Sequence, residues 1–313
     1  MAGACEGRVA LVTGASQGGT GTALAIRLAA EGARVAITAR SSDGLEKTRA
    51  RIEALGGTVR VVPCDLSDPQ GGRDQLVAKT EEALGPIDIL VNNAATGGYK
   101  PFAQWQQAEL ERMMQVNVWA PWLLMSQVIS GMRERGRGWI VNLTSFSGEL
   151  PKPPFPDNAP SKQGSAYGGS KAYLNRLTLS VASETDGQGI AVNALAPQAA
   201  IATPALVRLG WFDRAFLEPL EVMTEAGLAL CIADPKQLHG RIAYSLHLLL
   251  ELGRPVKDLE GKALVPDWQP ADLPRHLERQ LAAHERSGTF GAYDFNRPSS
   301  LVPPVGGRKG TAS

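Results

Sequence analysis

The stretch RVALVTGASQGGTGTALAIRLAAEG, Arg8 to Gly32, decides the fold. An apolar, β-branched run ends at Thr13, Gly14, Gly18, Gly19 and Gly21 follow in quick succession, and an alanine- and leucine-rich helical pattern takes over. Strand, glycine turn and helix in that order put a helix N-terminus at the end of a buried strand. The free N–H groups and dipole of such a terminus attract an anion, and glycines let the backbone come close to it. The stretch predicts a phosphate cradle, suited to the pyrophosphate of a dinucleotide, at the start of a parallel βαβ unit.

Working outward, the same rhythm repeats. RVAITAR, TVRVVPCD and DILVNNA read as strands, separated by the helical patterns DGLEKTRARIEALG and GRDQLVAKTEEALG. A helix over LERMMQVNVWAPWLLMSQVISGMRE, a strand GWIVNLTS, a helix opening at SAYGGSK and a strand IAVNALAP follow. The strands are apolar throughout, so both sheet faces are covered. This predicts an α/β fold of three layers, a doubly wound parallel Rossmann sheet of at least six strands with right-handed crossovers. Residues 1–251 form the dinucleotide-binding and catalytic domain, interrupted near 149–164 by a proline-rich insert, GELPKPPFPDNAPSKQG. Residues 252–313 form a C-terminal extension with one amphipathic helix, DLPRHLERQLAAHER, carrying Leu273, Leu277 and Leu281 on one face, and a Gly/Pro/Ser-rich end from Arg297 that reads as disordered.

Composition narrows the function. The chain has 313 residues, 43% of them hydrophobic, and 32 basic against 31 acidic side chains leave a net charge of +1. That balance points away from nucleic acid and anionic membranes and toward small-molecule chemistry. Cys5, Cys64 and Cys231 are too scattered for a disulfide framework or a metal site, which suits a reducing compartment. The four histidines show no metal-ligand spacing, and His276 and His284 read as surface residues. No apolar run is long enough to span a membrane and the N-terminus has neither signal-peptide nor presequence character, so the expected location is cytoplasmic.

The end of the second strand bears on the cofactor. A carboxylate there would bind the ribose 2′-hydroxyl of NAD, whereas an arginine accommodates the 2′-phosphate of NADP. VAITARSS offers Arg40 and no carboxylate, so NADP(H) is expected ahead of NAD. Ser41 and Ser42 either add hydrogen bonds to that phosphate or cap the next helix.

At this point the residues resemble a known family. Thr13-Gly14-Ala15-Ser16-Gln17-Gly18 with Gly21 resembles the TGxxxGxG signature of the short-chain dehydrogenases/reductases, one residue longer, so that Gly18 or Gly19 could take the middle role. VNNAATGG resembles that family's NNAG, with Ala95 in the place of glycine. The resemblance implies that Asp65 contacts the adenine amino group, that Asn92, Asn93 and Ala94 line the adenine-ribose side, that Leu66 and Ala95 belong to the same cofactor-binding set, and that the NADP cofactor is held by the glycine loop. NALAPQAAIATPAL resembles the segment in which Pro197, Ile201 and Thr203 hold the nicotinamide carboxamide, with Gln198 replacing glycine and one extra residue before the threonine.

Tyr167 and Lys171 carry the chemistry. Moving a hydride to or from a carbonyl carbon needs a proton transfer at the oxygen. Bringing a tyrosine from ~10 to near neutrality takes ~4 kcal/mol, which an ammonium ~4 Å away at an effective dielectric of ~20 supplies. Positions i and i+4 share a helix face, so Lys171 can do this for Tyr167. In the resembled family a serine at the end of the fifth strand, here Ser145, polarises the substrate oxygen, and a helix asparagine, here Asn117, holds a water beside the lysine. Ser147 is the competing donor. Ser145 and Tyr167 stand farther apart in sequence than is usual in that family, so the insert must loop out for them to meet.

Around these groups, Tyr99, Phe102, Trp105 and Phe155 fall on loops at the carboxyl edge of the sheet, where ligands bind in such folds. Trp211, Phe212 and Phe216 either cap a nonpolar substrate or belong to helix core. The expected activity is an NADP-dependent oxidoreductase acting on an apolar alcohol or ketone, with no metal, as a homodimer or homotetramer. The alternative is a non-catalytic NADP sensor or interaction protein of the same fold.

Overall fold

The strand Val9–Thr13 (β1) is buried at every position, and its side chains alternate between two cores. Ala10 and Val12 enter one cluster of buried apolar residues, Val9 and Leu11 the other. That is the period-two signature of a strand covered on both faces. In the computed structural model, which describes residues 3–151, 155, 162–210 and 217–287 (side chains only as far as 282), β1 is an interior strand, third in a seven-stranded sheet.

The elements follow in the expected order. After β1 come α1 (Thr20–Ala30), β2 (Arg34–Thr38), α2 (Ser42–Ala54), β3 (Val59–Val61), α3 (Leu76–Leu84) and β4 (Ile89–Asn92). The second half holds α4 (Gln107–Met114), α5 (Ala120–Arg135), β5 (Gly138–Leu143), α6 (Ser165–Thr185), β6 (Ile190–Ala196), α7 (Pro204–Leu209), α8 (Leu220–Ile232), β7 (Ile242–Tyr244), α9 (Ser245–Leu252) and α10 (Leu273–Ser287). All neighbouring strands pair in parallel, in the order β3-β2-β1-β4-β5-β6-β7. The order reverses between β1 and β4, so the loops leaving those two strands diverge and open a crevice at the carboxyl edge. Side chains of α1, α2, α8 and α9 share the first cluster, while those of α3, α5 and α6 share the second.

The single helix read over residues 110–134 is interrupted. Between α4 and α5 the turn Gln115–Trp119 is wound as a π-helix, with the Ala120 N–H donating to the Gln115 carbonyl. Pro121 has no N–H to give the carbonyl of Asn117, which weakens the α-helical ladder at that point. Widening the turn swings Asn117, wholly buried, toward the sheet edge.

Beyond Leu252 the chain remains joined to the core. Val256 and Leu273 are fully buried in the cluster that holds α1 and α8, and Leu277 packs against it, as the amphipathic pattern requires. A buried ion network ties the elements together: Arg27 of α1 reaches Glu225 of α8 at 2.7 Å, and Arg254 reaches the same carboxylate at 2.5 Å. Most of the proline-rich insert, residues 211–216 and the end from Arg297 lie outside the described residues. Cys5, Cys64 and Cys231 are free thiols, each buried. No helix among the described residues is long and apolar enough to cross a membrane.

Candidate functional site

A cleft of about 590 Å³ opens at the carboxyl edge above β1, β2 and β4. The glycine loop forms its floor. Gly14, Ser16, Gln17, Gly19 and Gly21 line it, whereas Gly18, with φ of +70°, turns away to a second hollow and donates its N–H to Thr22 Oγ1 at 3.2 Å. Of the two glycines open for the middle role, Gly19 faces the cleft and Gly18 makes the left-handed turn that a side chain would strain. Gly21 lets α1 approach β4: a Cβ there would lie 2.6 Å from the Gly14 carbonyl oxygen and would strike the Asn93 amide. That amide donates to Thr13 O at 2.8 Å and Gly14 O at 3.2 Å. Thr13 does not line the cleft; its hydroxyl accepts from the backbone N–H groups of Asn93 and Ala94, both at 3.0 Å, and so welds β1 to β4.

Arg40 and Ser41 border the cleft at the end of β2, and no carboxylate stands with them on that strand end. Ser41 also caps α2 by accepting the Gly44 N–H at 3.2 Å. Asp65 and Leu66 line the far wall, with Asp65 held in a turn by the N–H and hydroxyl of Ser67 at 2.9 and 2.7 Å. Asn93, Ala94 and Ala95 complete the wall from β4, and Thr203 closes the opposite side. Arg112 and Val116 also face the cleft, and sequence reasoning missed them. They stand at i and i+4 on the helix preceding Asn117, a spacing that would have put them on one face.

The residues of the expected catalytic set meet at the end of β5. Ser145 caps the turn Phe146–Gly148, accepting the Ser147 N–H at 3.1 Å, and its hydroxyl stands close enough to the Tyr167 phenol to favour the ionised form. Ser147 faces Tyr99 instead, with 3.3 Å between the two hydroxyl oxygens. The Tyr99 ring stands edge-on to that of Tyr167 with centroids 6.0 Å apart. Lys171 is almost fully buried; its ammonium lies 5.8 Å from the Tyr167 ring centre and donates to the Leu143 carbonyl at 2.7 Å. Asn117 exchanges two hydrogen bonds with the Thr96 backbone, each 2.9 Å, and donates to Ser170 Oγ at 2.9 Å. It thereby ties the π-turn to α6, next to Lys171.

Electrostatically, burial dominates over the ammonium. Desolvation, with the Tyr99 phenol adding to it, pushes Tyr167 up to about 12 against the opposing hydrogen bond from Ser145. Desolvation also brings Lys171 down to about 8. The ammonium is spent on Leu143 O rather than on the phenol, so the lowering of Tyr167 worked out for a direct contact does not operate in this arrangement.

Ile201 forms an isolated parallel bridge with Glu218, and Gln198, next to Pro197, binds the Glu218 carboxylate through its N–H at 2.9 Å. Glu218 gave no signal in the sequence because its partners are distant in the chain. Phe102 and Phe155 are exposed at 82% and 65%, available to a ligand rather than committed to core. Trp211, Phe212 and Phe216 lie outside the described residues. His276 stacks on Trp268 with centroids 3.7 Å apart, and the side chain of His284 lies outside the described residues.

Comparison with known proteins agrees with this fold. The family model for short chain dehydrogenases matches residues 8–209. Glycine betaine reductase ATRR of Emericella nidulans is 36% identical over 197 residues, which is 62% of this chain but only 14% of that protein. A fatty acyl-CoA reductase of Mycobacterium tuberculosis is 32% identical over 277 residues, 87% of this chain and 86% of its own. Among solved structures, a metagenomic short-chain oxidoreductase in complex with NADP superposes with a TM-score of 0.63 at 30% identity, covering 75% of this chain and 95% of that one. With a seven-stranded parallel sheet, a glycine loop on β1 and a family match that runs from β1 through β6, the chain belongs to the short-chain dehydrogenase/reductase family.

Proposed function

We propose that this protein transfers a hydride between NADP(H) and an alcohol or carbonyl compound with an apolar body. The observation that carries the reading is the meeting of Ser145, Tyr167 and Lys171 at one strand end, beside a cleft whose ribose-side corner bears Arg40 and no acid. The residues fit a dinucleotide: Gly19 and Gly21 line the cleft at the start of α1, whose first-turn N–H groups have no partner within the helix, and a Cβ at Gly19 would point at Thr203 Cγ2, 3.5 Å off, across the opening. Arg40 would hold the 2′-phosphate and Thr203 would bound the nicotinamide end.

When bound, NADPH supplies the hydride. Tyr167, a neutral phenol at physiological pH because burial holds it at about 12, is set to give its proton to a carbonyl oxygen, which favours the reductive direction. Ser145 donates to the same oxygen and stabilises the charge that develops there. Lys171, protonated below about 8, holds a positive charge beside the phenol as it becomes phenolate. Asn117 fixes the turn from which water can reprotonate this pair. The exposed Phe102 and Phe155 support an apolar substrate, as does likeness to a protein named as a fatty acyl-CoA reductase over most of both chains. The half-exposed aromatic group of Trp119, Trp122 and Tyr173, on the helices carrying Asn117 and Tyr167, supports a homodimer or homotetramer packed through that face.

The test is steady-state kinetics over long-chain and cyclic carbonyl compounds with each cofactor, alongside Tyr167→Phe. NADPH should be preferred by about tenfold or more in kcat/KM, since losing a paired charged contact is worth at least that. The phenylalanine variant should lose about 100- to 10,000-fold in kcat while still binding NADPH. A preference for NADH would overturn the cofactor assignment, and an undiminished phenylalanine variant the catalytic one.

A further inference from the structure

We propose that Glu218 is a positioning residue for the nicotinamide end of the cofactor, building with its carboxylate the turn that glycine builds elsewhere in the family; this rests on the cofactor reading above. Glu218 lies beyond residues 8–209, the part matched by the family model, and its side chain is wholly buried. Its Oε2 accepts the N–H of Gln198 at 2.9 Å and of Ala199 at 3.3 Å. Its main chain holds the same segment from the other side: Glu218 N–H donates to Ala200 O and Ala202 N–H donates to Glu218 O, both at 2.8 Å. Four hydrogen bonds from one residue thus fix the segment from Gln198 to Ala202.

The surroundings complete the clamp. Ser245 Oγ accepts the same Gln198 N–H at 3.0 Å, and the Gln198 side chain meets His247 Nδ1 at 2.7 Å. Gln198 itself has no left-handed φ; among the described residues Asp267 is the only non-glycine residue that does. The turn is therefore made without the conformation that would call for glycine, by side-chain acceptors that gather successive N–H groups.

What the clamp sets is the position of Thr203. The Thr203 N–H donates to Ile201 O at 2.7 Å, its hydroxyl caps α7 by accepting the Leu206 N–H at 3.3 Å, and it lines the cleft opposite the glycine loop. Releasing residues 198–202 frees that wall. The far wall, with Arg40, Asp65 and Leu66, hangs from β2 and β3 and does not depend on it. Keeping a carboxyl there is also costly, since desolvation pushes Glu218 up to about 7 against the hydrogen bonds it accepts, and groups perturbed in this way cluster at functional sites.

The contrast between the two walls supplies the experiment. Dissociation constants are measured for NADPH and for adenosine 2′,5′-bisphosphate, which lacks the nicotinamide half, on the wild-type protein and on Glu218→Ala, Glu218→Asp and Glu218→Gln. Removing the acceptor should weaken NADPH about tenfold, the scale of a charged hydrogen bond, with binding of the bisphosphate unchanged. Aspartate, which withdraws the carboxylate but keeps the fold if alanine does not, should show the same pattern at smaller size. Glutamine, which retains an acceptor oxygen, should stay within about threefold of wild type. Equal losses for both ligands, no loss for either, or glutamine falling as far as alanine would overturn the proposal. Failure of the wild-type protein to bind NADPH would instead defeat the cofactor reading on which it rests.

Discussion

Glu218→Gln should change how stability depends on pH, by an amount that follows from burial. The carboxyl group rises from an ordinary 4.5 to about 7 in the folded chain, because desolvation outweighs the hydrogen bonds from the Ala199 and Gln198 N–H groups. A group raised on folding binds its proton more tightly in the native state, so its contribution is fully present below pH 4.5 and is lost as pH rises through about 7. The shift corresponds to about 3 kcal/mol between those limits. Glutamine cannot ionise, so it removes this slope while keeping an oxygen for the Gln198 and Ala199 N–H groups. Urea unfolding of both proteins at intervals from pH 4 to 8.5 isolates the effect as a difference, since every other titrating group is shared. The wild-type curve should fall relative to the variant by about 3 kcal/mol across that window and run parallel outside it. Parallel curves throughout would show that folding leaves the proton affinity of the carboxyl group unchanged, and the argument from desolvation would fail.

Other substitutions probe separate parts of the structure. Gly168→Ala, which in an exposed helix would gain about 1 kcal/mol, should here lower kcat without altering the NADPH dissociation constant, because the added Cβ would lie 2.5 Å from the Ser147 carbonyl and push the serine turn from Tyr167. Trp119→Glu should shift the protein to a smaller species in light scattering, since Trp119, 42% exposed and in contact with Trp122 and Tyr173, centres the aromatic face proposed for self-association. Leu273→Ala should cost about 2–5 kcal/mol in denaturant unfolding, as expected for a buried leucine of the main core and not for a detachable tail.

Much of the sheet was legible because its evidence is local. β1, β2, β4, β5 and β6 are written as apolar runs between glycine turns and helical patterns, and the crevice follows from their order. β7 was not read, since Ile242–Tyr244 is three residues long and earns its place only by pairing with β6. The π-turn around Asn117 was equally silent: its sequence has ordinary helical periodicity, and the missing N–H of Pro121 was the one clue. The tail was read as lying beyond the sheet, which its strand pattern supports, yet Val256 and Leu273 are core. Leu273 was marked by the helical spacing it shares with Leu277 and Leu281, whereas Val256 stands alone between turns and carries no period from which burial can be inferred. Glu218 is the extreme case, an acidic residue in an apolar stretch whose meaning depends wholly on partners at 198–202 and 245.

The proline-rich insert raises the sharpest physical question, because it separates Ser145 from Tyr167 in a site that needs their hydroxyls in contact. The contact is fixed at the base of the insert rather than by its length. Gly148, ending the turn after β5, presses on α6 so closely that a Cβ would lie 3.0 Å from the carbonyl carbon of Lys171, and Gly168 meets the Ser147 carbonyl from the other side. Thr144 adds a hydroxyl directed at Lys171 O at 3.5 Å, and the Lys171 ammonium closes onto Leu143 O at 2.7 Å. Two glycines and one lysine therefore bring the ends of the insert together, and further residues added between them cost little, since closing a longer loop grows only logarithmically with its length. Lys171, proposed above as the positive charge beside Tyr167, is in this chain a fastener between β5 and α6. For that reason the site can keep its geometry while the segment between its two hydroxyl residues varies.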